Sequence, residues 1–554
     1  MSKNLSELSG RKGWNKNLFE EIGLAAKGKG TPSAEAIATL AEEFVMGTAN
    51  VYGAVSFYDF LRPENSNKKV YVCNGSACLT AGTQDELRKK LSHYFSEGEI
   101  GEMCCLGRCH ENSAFHFGGM SFSGKAVETD FRSVAVTDAP LSVNDHYHVA
   151  GHGVQVLTGE FPGLEKYYES LSTALRSAPE VLLEELKISG LRGRGGAGFP
   201  IAYKLDACRK EVSNQKFIVC NADEGDPGAY SDRYLLEQQP HALLYGMIAA
   251  GFIAGATVGV IYIRGEYPEA IRITQQAVND LVAAGYCGKN ILDTGFNFEF
   301  KIIAAQGAYI CGEETALLSS IEGQRPEVRV RPPYPVQHGL FNKPTVVNNV
   351  ETLACIPFIL EKGGKVFAAV GKGKSTGTKL ISLDGFFNRP GICEVEMGTP
   401  LRYVVDDFGK GFKTDVKALH IGGPLGGLVP VGKIDSLTID FESFAQNGFL
   451  LGHASVVCIP QSFPLIQYLE HLFQFTAHES CGKCFPCRLG ATRGYELLQK
   501  AQSEDYKIDP LLFGDLLNTM EIGSLCALGG GLPLAMRNAL QYFEEELSPY
   551  FQNS

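Results

Sequence analysis

Four glycines, Gly193, Gly195, Gly196 and Gly198, crowd the start of the run 191–232, LRGRGGAGFPIAYKLDACRKEVSNQKFIVCNADEGDPGAYSD, which ends in the acids Asp223, Glu224 and Asp226. Glycine at that density lets backbone N–H groups approach a phosphate or a flat ring with no Cβ in the way. Lys204 stands between the glycines and the acids, so the stretch has the composition of a cofactor cradle. Gly193, Gly195 and Gly198 also satisfy G-x-G-x-x-G, a pattern that carries weight only between a strand and a helix. Here residues 179–188 precede it with Val181, Leu182 and Leu186 at helical spacing, and the strand-like 216–220 follows it. The Rossmann context is missing, and taken alone the run serves equally well as a structural turn.

Sixteen cysteines fall in the chain, and the N-terminus MSKNLSELSGRKGWNKN has no apolar core of a secretory signal, so an oxidising compartment is not indicated. Eight of the cysteines form two groups with metal-ligand spacing. Cys73 and Cys78 (C-x4-C) precede Cys105 and Cys109 (C-x3-C), in a region that reads as a strand over 69–73, a helix over 84–94 and two short strands across 114–127. Four thiolates on two loops of a small α/β unit suit a 2Fe-2S cluster, with zinc as the rival. Cys104 is adjacent and is left out as a ligand. Cys481, Cys484 and Cys487 (C-x2-C-x2-C) open a helix, and Cys526 returns in SLCALGG. Three close thiolates with a distant fourth suit a 4Fe-4S cluster, again with zinc as the alternative.

The length of 554 residues implies about three or four domains. Sixty-two acidic against fifty basic residues, a net charge of -12, disfavour nucleic acid as a partner. Residues 241–263 carry no Asp, Glu, Lys or Arg and are long enough to span a bilayer. Their Ala- and Gly-rich first half and β-branched TVGVIYI read instead as a core helix followed by a core strand, so no direct membrane span is expected. Residues 1–66 read as mostly helical, and His146, His148 and His152 lie in a mixed segment read as a solvated linker. Helix and strand signals alternate through 182–361, short β runs with Gly and Pro fill 378–437, and four helical segments follow, over 465–476, 488–501, 509–520 and 533–546.

The motifs SGLRGRGGAGFP, CNADEGDPGAY, GAYICGEETALLSSIEG, KPTVVNNVETL and CGKCFPCR, in that order, resemble the 51 kDa-type flavin- and NADH-binding subunit of respiratory complex I. VYGAVSFY and CCLGRC resemble its 24 kDa-type subunit, a thioredoxin-like 2Fe-2S domain with a helical extension. The resemblance implies a multidomain α/β chain. Its parts would be a helical bundle (1–66), the thioredoxin-like domain (67–130), a linker (131–180), an α/β FMN/NADH-binding domain (181–365), a ubiquitin-like β-grasp domain (366–445) and a four-helix bundle with 4Fe-4S (446–554).

Carried over by motif, the resemblance implies that Gly193, Arg194, Gly195, Gly196 and Lys204 line the FMN site, with Lys204 facing the phosphate. Asn221, Asp223 and Glu224 would meet flavin and nicotinamide edges, and Tyr309, Gly312, Glu313 and Glu314 would approach from another loop, with Glu224 and Glu313 near the nicotinamide. Val347, Asn348, Asn349 and Thr352 complete the FMN contacts, while Phe199 and Tyr334 would stack on the adenine of NAD(H), a buried core ring being the rival reading of each. Asp226 stands where the family commonly has glutamate and Arg331 where it has lysine; both keep the charge and change the reach. The implied activity is that of an NADH dehydrogenase (diaphorase) subunit. It would exchange hydride between NAD(H) and FMN and single electrons with the clusters, in a cytoplasmic complex with other iron-sulfur subunits and a terminal catalytic subunit, as in NAD-linked hydrogenases, formate dehydrogenases, electron-bifurcating enzymes or complex I-like assemblies. The alternative is a non-catalytic electron-transfer and assembly subunit. Acids around the nucleotide site would disfavour the extra phosphate of NADPH.

Overall fold

The computed structural model describes residues 6–7, 10, 16–28, 30–129, 131–133, 147–503 and 505–552. The chain begins with helices Leu18–Ala26, Ala34–Glu43 and Thr48–Val55. Asn17 caps the first by accepting from the Phe19 and Glu20 N–H groups, and Ser33 caps the second by accepting from Ala36. Their apolar faces do not close a bundle of their own. Phe19, Ile22, Val51 and Tyr58 share a core with Val260, Ile303 and Leu317 of a later α/β unit, where Tyr58 Oη donates to Ser320 Oγ at 2.8 Å.

β1 (Val70–Cys73) runs parallel to β2 (Ile100–Met103) and antiparallel to β3 (Ala114–Phe117), which turns into β4 (Met120–Ser123). β2 has no sequence signature, since Ile100-Gly101-Glu102-Met103 becomes a strand only by pairing with β1. Residues 131–180, expected as a linker, contribute β5 (His148–His152), which pairs in parallel with Gly391–Glu396, and the helix Leu164–Leu175, which buries Tyr168 and Leu171. His148 lies 5.4 Å from the Phe408 ring and His152 4.1 Å from the Tyr403 ring; both belong to a strand rather than a loop, though their side chains remain solvent-exposed. His146 lies outside the described residues.

Four parallel strands follow, β6 (Phe217–Ala222), β7 (Val258–Ile263), β8 (Glu299–Ala304) and β9 (Thr345–Asn349), in the order β8-β7-β6-β9. The chain steps outward from β6 to β8 and then returns to the far side of β6, so the strand order reverses between β6 and β9. In open parallel sheets the crevice beyond the carboxyl ends at such a reversal receives ligands. The apolar stretch 241–263 is the buried helix Pro240–Ala254 and then β7. Among the described residues no helix is long and apolar enough to cross a membrane.

A short hairpin, β10 (Gly371–Lys372) and β11 (Ser375–Thr376), leads to a second sheet. β12 (Thr378–Leu383), β13 (Gly391–Glu396), β14 (Val416–Ile421), β15 (Gly427–Pro430) and β16 (Ser455–Pro460) lie with β5 in the order β15-β14-β16-β12-β13-β5. β12 and β16 run parallel at its centre and antiparallel pairs flank them, the arrangement of a β-grasp sheet. β16 lies beyond residue 445, in the segment expected to be helical, because a fully buried six-residue apolar strand completes the sheet there. Helices Leu465–Glu479, Phe485–Ser503, Pro510–Gly523 and Ala527–Tyr542 form the final bundle around Leu469, Leu472, Leu497, Leu517 and Met536. The last of them begins directly after Cys526 and carries Pro533 inside it, six residues earlier than its sequence signal.

Candidate functional site

The crevice between β6 and β9 gathers the glycine run, the acids after β6 and the asparagines at the end of β9. Asn349 accepts from the Glu351 and Thr352 N–H groups, capping the helix Val350–Ala354, and its Nδ2 donates to Asp232 Oδ2 at 2.6 Å. Thr352 Oγ1 accepts from the Arg194 N–H at 2.8 Å, which draws the glycine loop onto that helix. A Cβ on Gly195 would stand 2.9 Å from Asn349 Cβ, and Gly196 has φ +116°. The loop is therefore pressed against the strand end, a closeness that a surface turn does not need. Arg194 contributes only its backbone to the crevice, since its buried guanidinium donates to Thr376 O and contacts Met397 Sδ in the β-rich unit. Arg192 fixes the same loop from outside, donating to Gly198 O at 2.8 Å and Glu442 Oε1 at 2.6 Å.

Lys204 Nζ donates to Glu314 Oε2 at 3.0 Å and to Val347 O at 3.1 Å, and Arg331 reaches Glu314 Oε1 at 3.2 Å. Glu313 accepts from the Thr315 and Ala316 N–H groups and so caps the helix Glu314–Ile321. Asn221 Nδ2 donates to Gly312 O at 2.7 Å, joining the two loops of the crevice. Phe199 and Tyr334 are 52% and 53% exposed, which excludes the core-ring reading of each. Tyr203, which carries no motif signal, is 66% exposed with its ring 6.5 Å from Phe199.

Glu224 is buried and faces inward, accepting from the Asp232 and Arg233 N–H groups at 2.8 and 3.0 Å and from Tyr267 Oη at 3.2 Å. Burial, reinforced by the Asp232 charge, pushes its carboxyl up to about 7. Burial also raises Asp223 well above the usual carboxylate range, and raises Asp226 against the opposing hydrogen bond from Tyr309. Among the buried polar atoms here, Asp223 Oδ2, Asp232 Oδ1, Asn348 Nδ2 and His453 Nδ1 have no hydrogen-bond partner within the protein. Buried polar atoms are rarely left so, and a close-approach glycine loop beside them fits a polar, planar cofactor such as FMN.

Cys73 ends β1, Cys78 lies in the helix Ser76–Ala81, and Cys105 and Cys109 follow β2, the last two with Sγ atoms 3.3 Å apart. Cys73 is within hydrogen-bond reach of Cys78 and Cys105, so four buried thiols converge. Cys481, Cys484 and Cys487 lie at the corner between the first two bundle helices, and Cys526 abuts them at the start of the fourth. All sixteen cysteines are free, and a four-thiol donor set at each location fits an iron-sulfur cluster. The Gly228 N–H donates to Cys109 Sγ at 3.2 Å, and Arg264 and Arg233 donate to Cys105 O and Gly107 O at 2.5 and 3.2 Å. On the other side Tyr309 Oη donates to Asp226 Oδ1 at 2.6 Å while its N–H donates to Glu479 Oε2 at 2.9 Å, two residues before Cys481.

Three family models match the chain: the Nuo51 FMN-binding domain over 186–358, the NADH-ubiquinone oxidoreductase-F iron-sulfur binding region over 467–550, and the thioredoxin-like [2Fe-2S] ferredoxin over 9–121. Over 389 residues it is 40% identical to the F 2 subunit of NADH-quinone oxidoreductase from Rhizobium meliloti, covering 70% of this chain and 92% of that one. It is 39% identical over 382 residues to the HndC subunit of the NADP-reducing hydrogenase from Solidesulfovibrio fructosivorans, covering 68% and 78%. A crystal structure of NAD+-reducing [NiFe]-hydrogenase in the air-oxidized state superposes with a TM-score of 0.84 at 27% identity, covering 97% of this chain and 93% of that one.

Proposed function

The chain belongs to the family of NADH-oxidising flavoprotein subunits found in NADH-quinone oxidoreductases, and from that premise we propose how its own residues serve the reaction. It is an NADH oxidoreductase of the diaphorase type, with FMN, a 2Fe-2S cluster and a 4Fe-4S cluster as cofactors. When bound, FMN exchanges a hydride with NAD(H) and electrons one at a time with the clusters, which a nicotinamide cannot do directly.

In this reading the backbone of Gly193 to Gly198 receives the flavin, with Asn221, Asp223, Val347, Asn348, Asn349 and Thr352 around it. Lys204 supplies positive charge for the phosphate, which would draw its ammonium from Glu314. Phe199 and Tyr334 offer exposed rings to the adenine, and Tyr203 adds a third beside Phe199. Glu224, engaged with backbone N–H groups, positions the loop and leaves contact with the ligand to its neighbours. The carboxylates Glu313 and Glu314 favour NADH over NADPH, with Arg331 partly offsetting Glu314. Hydride transfer needs no acid or base, so the residues act by positioning.

One observation carries the reading: the loop after β6 bonds Cys109 directly through Gly228, and through Asp226 it bonds Tyr309, whose N–H reaches Glu479 two residues before Cys481. A single crevice thus lies between two one-electron centres. Cys73, Cys78, Cys105 and Cys109 would ligate 2Fe-2S, and Cys481, Cys484, Cys487 and Cys526 would ligate 4Fe-4S. The partners are other redox subunits with iron-sulfur clusters and a terminal catalytic subunit, and the compartment is the cytoplasm, whose reducing conditions suit eight cluster-binding cysteines and eight further cysteines without disulfides. The test is selective loss of one cluster. Cys487→Ser should abolish the 4Fe-4S EPR signal while NADH still bleaches the flavin, and Cys109→Ser should abolish the 2Fe-2S signal alone. Loss of both signals in either variant, in folded protein, would contradict the assignment.

A further inference from the structure

The loop ahead of β16 places a side chain against the crevice that the reading above leaves without a part. His453 is buried, with Nε2 3.2 Å from Asp232 Oδ2 and 3.8 Å from Glu224 Oε1. The same Asp232 oxygen accepts from Asn349 Nδ2, and the backbone of Gly452 and His453 lies within 4 Å of the place a Cβ on Gly196 would occupy. The loop after β6, the end of β9 and the glycine run therefore meet at one imidazole.

Two carboxylates buried side by side repel each other, and a buried anion without a counter-charge is costly. Asp232 and Glu224 face His453 directly, and the Asp226 charge also acts on it. The other cations nearby are engaged elsewhere: Lys379 pairs with Glu351, and Arg264 with Glu266 and the carbonyls of Glu224 and Cys105. Burial alone would strip the proton from His453, but the charge and hydrogen bond of Asp232, helped by Glu224, more than offset it and bring the group to about 9.

We propose that His453 is a positioning residue of the flavin cradle: as imidazolium it neutralises Asp232 and Glu224 and thereby holds Asn349 and the glycine loop in the arrangement that receives FMN. The inference rests on the assignment of the crevice to FMN. Its test is FMN affinity, read by flavin fluorescence quenching on flavin-stripped, cluster-containing protein. His453→Gln is expected to raise the dissociation constant at pH 7 by about tenfold or more, with the cluster spectrum unchanged. Wild-type affinity should fall as pH rises through about 9, and the variant should not follow that fall. Asp232→Asn added to His453→Gln removes one of the two repelling charges and should recover most of the lost affinity, a rescue that a purely steric role would not give. The proposal is overturned by a variant that binds FMN within about twofold of wild type, by a double variant no better than the single one, or by wild-type affinity that is flat between neutral and alkaline pH. If the wild-type protein takes up no FMN at all, the flavin assignment falls first and this inference with it, so the wild-type control tells the two failures apart.

Discussion

Lys379 on β12 and Glu351 in the helix after β9 form an ion pair at 0% exposure, joining the crevice sheet to the β-rich sheet. Glu351 Oε1 also accepts from the Leu380 N–H at 3.0 Å, and Lys379 Nζ donates to Leu380 O at 3.0 Å. The helix they anchor begins at Asn349 and carries Thr352, which holds the glycine loop through the Arg194 N–H. Lys379→Met keeps most of the side-chain length and removes the cation, leaving Glu351 buried and unpaired. Removing one partner of a buried pair costs about 3–5 kcal/mol, whereas replacing both by neutral groups is often close to neutral. Lys379→Met should therefore destabilise by roughly that amount, and Glu351→Gln with Lys379→Met should recover most of it, giving a coupling of about 2–4 kcal/mol. The assay is a double-mutant cycle by urea unfolding, followed by far-UV circular dichroism, with flavin release reporting on the crevice. A single variant within about 1 kcal/mol of wild type, or an additive cycle, would refute the reasoning.

Gly195→Ala forces a Cβ to within 2.9 Å of Asn349 Cβ, and overpacking of this kind costs about 1–3 kcal/mol, so FMN affinity should fall about 5- to 150-fold in a flavin-release titration. Phe199→Ala removes an exposed ring and should raise KM for NADH about two- to tenfold with kcat little changed; a fall in kcat alone would place Phe199 elsewhere. The pH dependence of stability has a definite sign. His453 is raised from 6.5 to about 9, so its contribution of roughly 3 kcal/mol is complete below pH 6.5 and is lost as pH rises through about 9. Glu224, raised from 4.5 to about 7, loses its contribution in the same direction as pH rises through about 7. Above about pH 6.5, where the buried His116, His420 and His471, lowered to about 4, are already neutral, thermal midpoints should thus decline toward alkaline pH, and a rise over that range would show that these groups do not govern the alkaline side.

Local signals revealed the elements that stand on their own chemistry. The strand at Phe217–Ala222 and the helix-strand pair at Pro240–Ile263 follow from apolar runs, and both cysteine groups follow from spacing. Features made by distant pairing were not legible. β5 is mixed in composition and is a strand only because β13 offers it an edge. Arg194 sits within the glycine motif, yet the arrangement of the β-rich unit sends its side chain away from the crevice. The helix Ala527–Tyr542 starts in ALGGG, where glycine lowers helix propensity, because a Cβ on Gly529 would stand 2.6 Å from Cys487 Cβ. His453 enters the site across a long stretch of chain and within no motif, so only the buried partners Asp232 and Glu224 reveal it.

Anaerobic titration of the cluster-replete, FMN-containing protein with NADH, followed by flavin absorbance and low-temperature EPR, tests the central claim most directly. The account predicts that the flavin bleaches and that cluster signals appear as NADH is added. Bound FMN that stays oxidised under excess NADH would contradict it, and would leave the chain as a non-catalytic electron-transfer and assembly subunit.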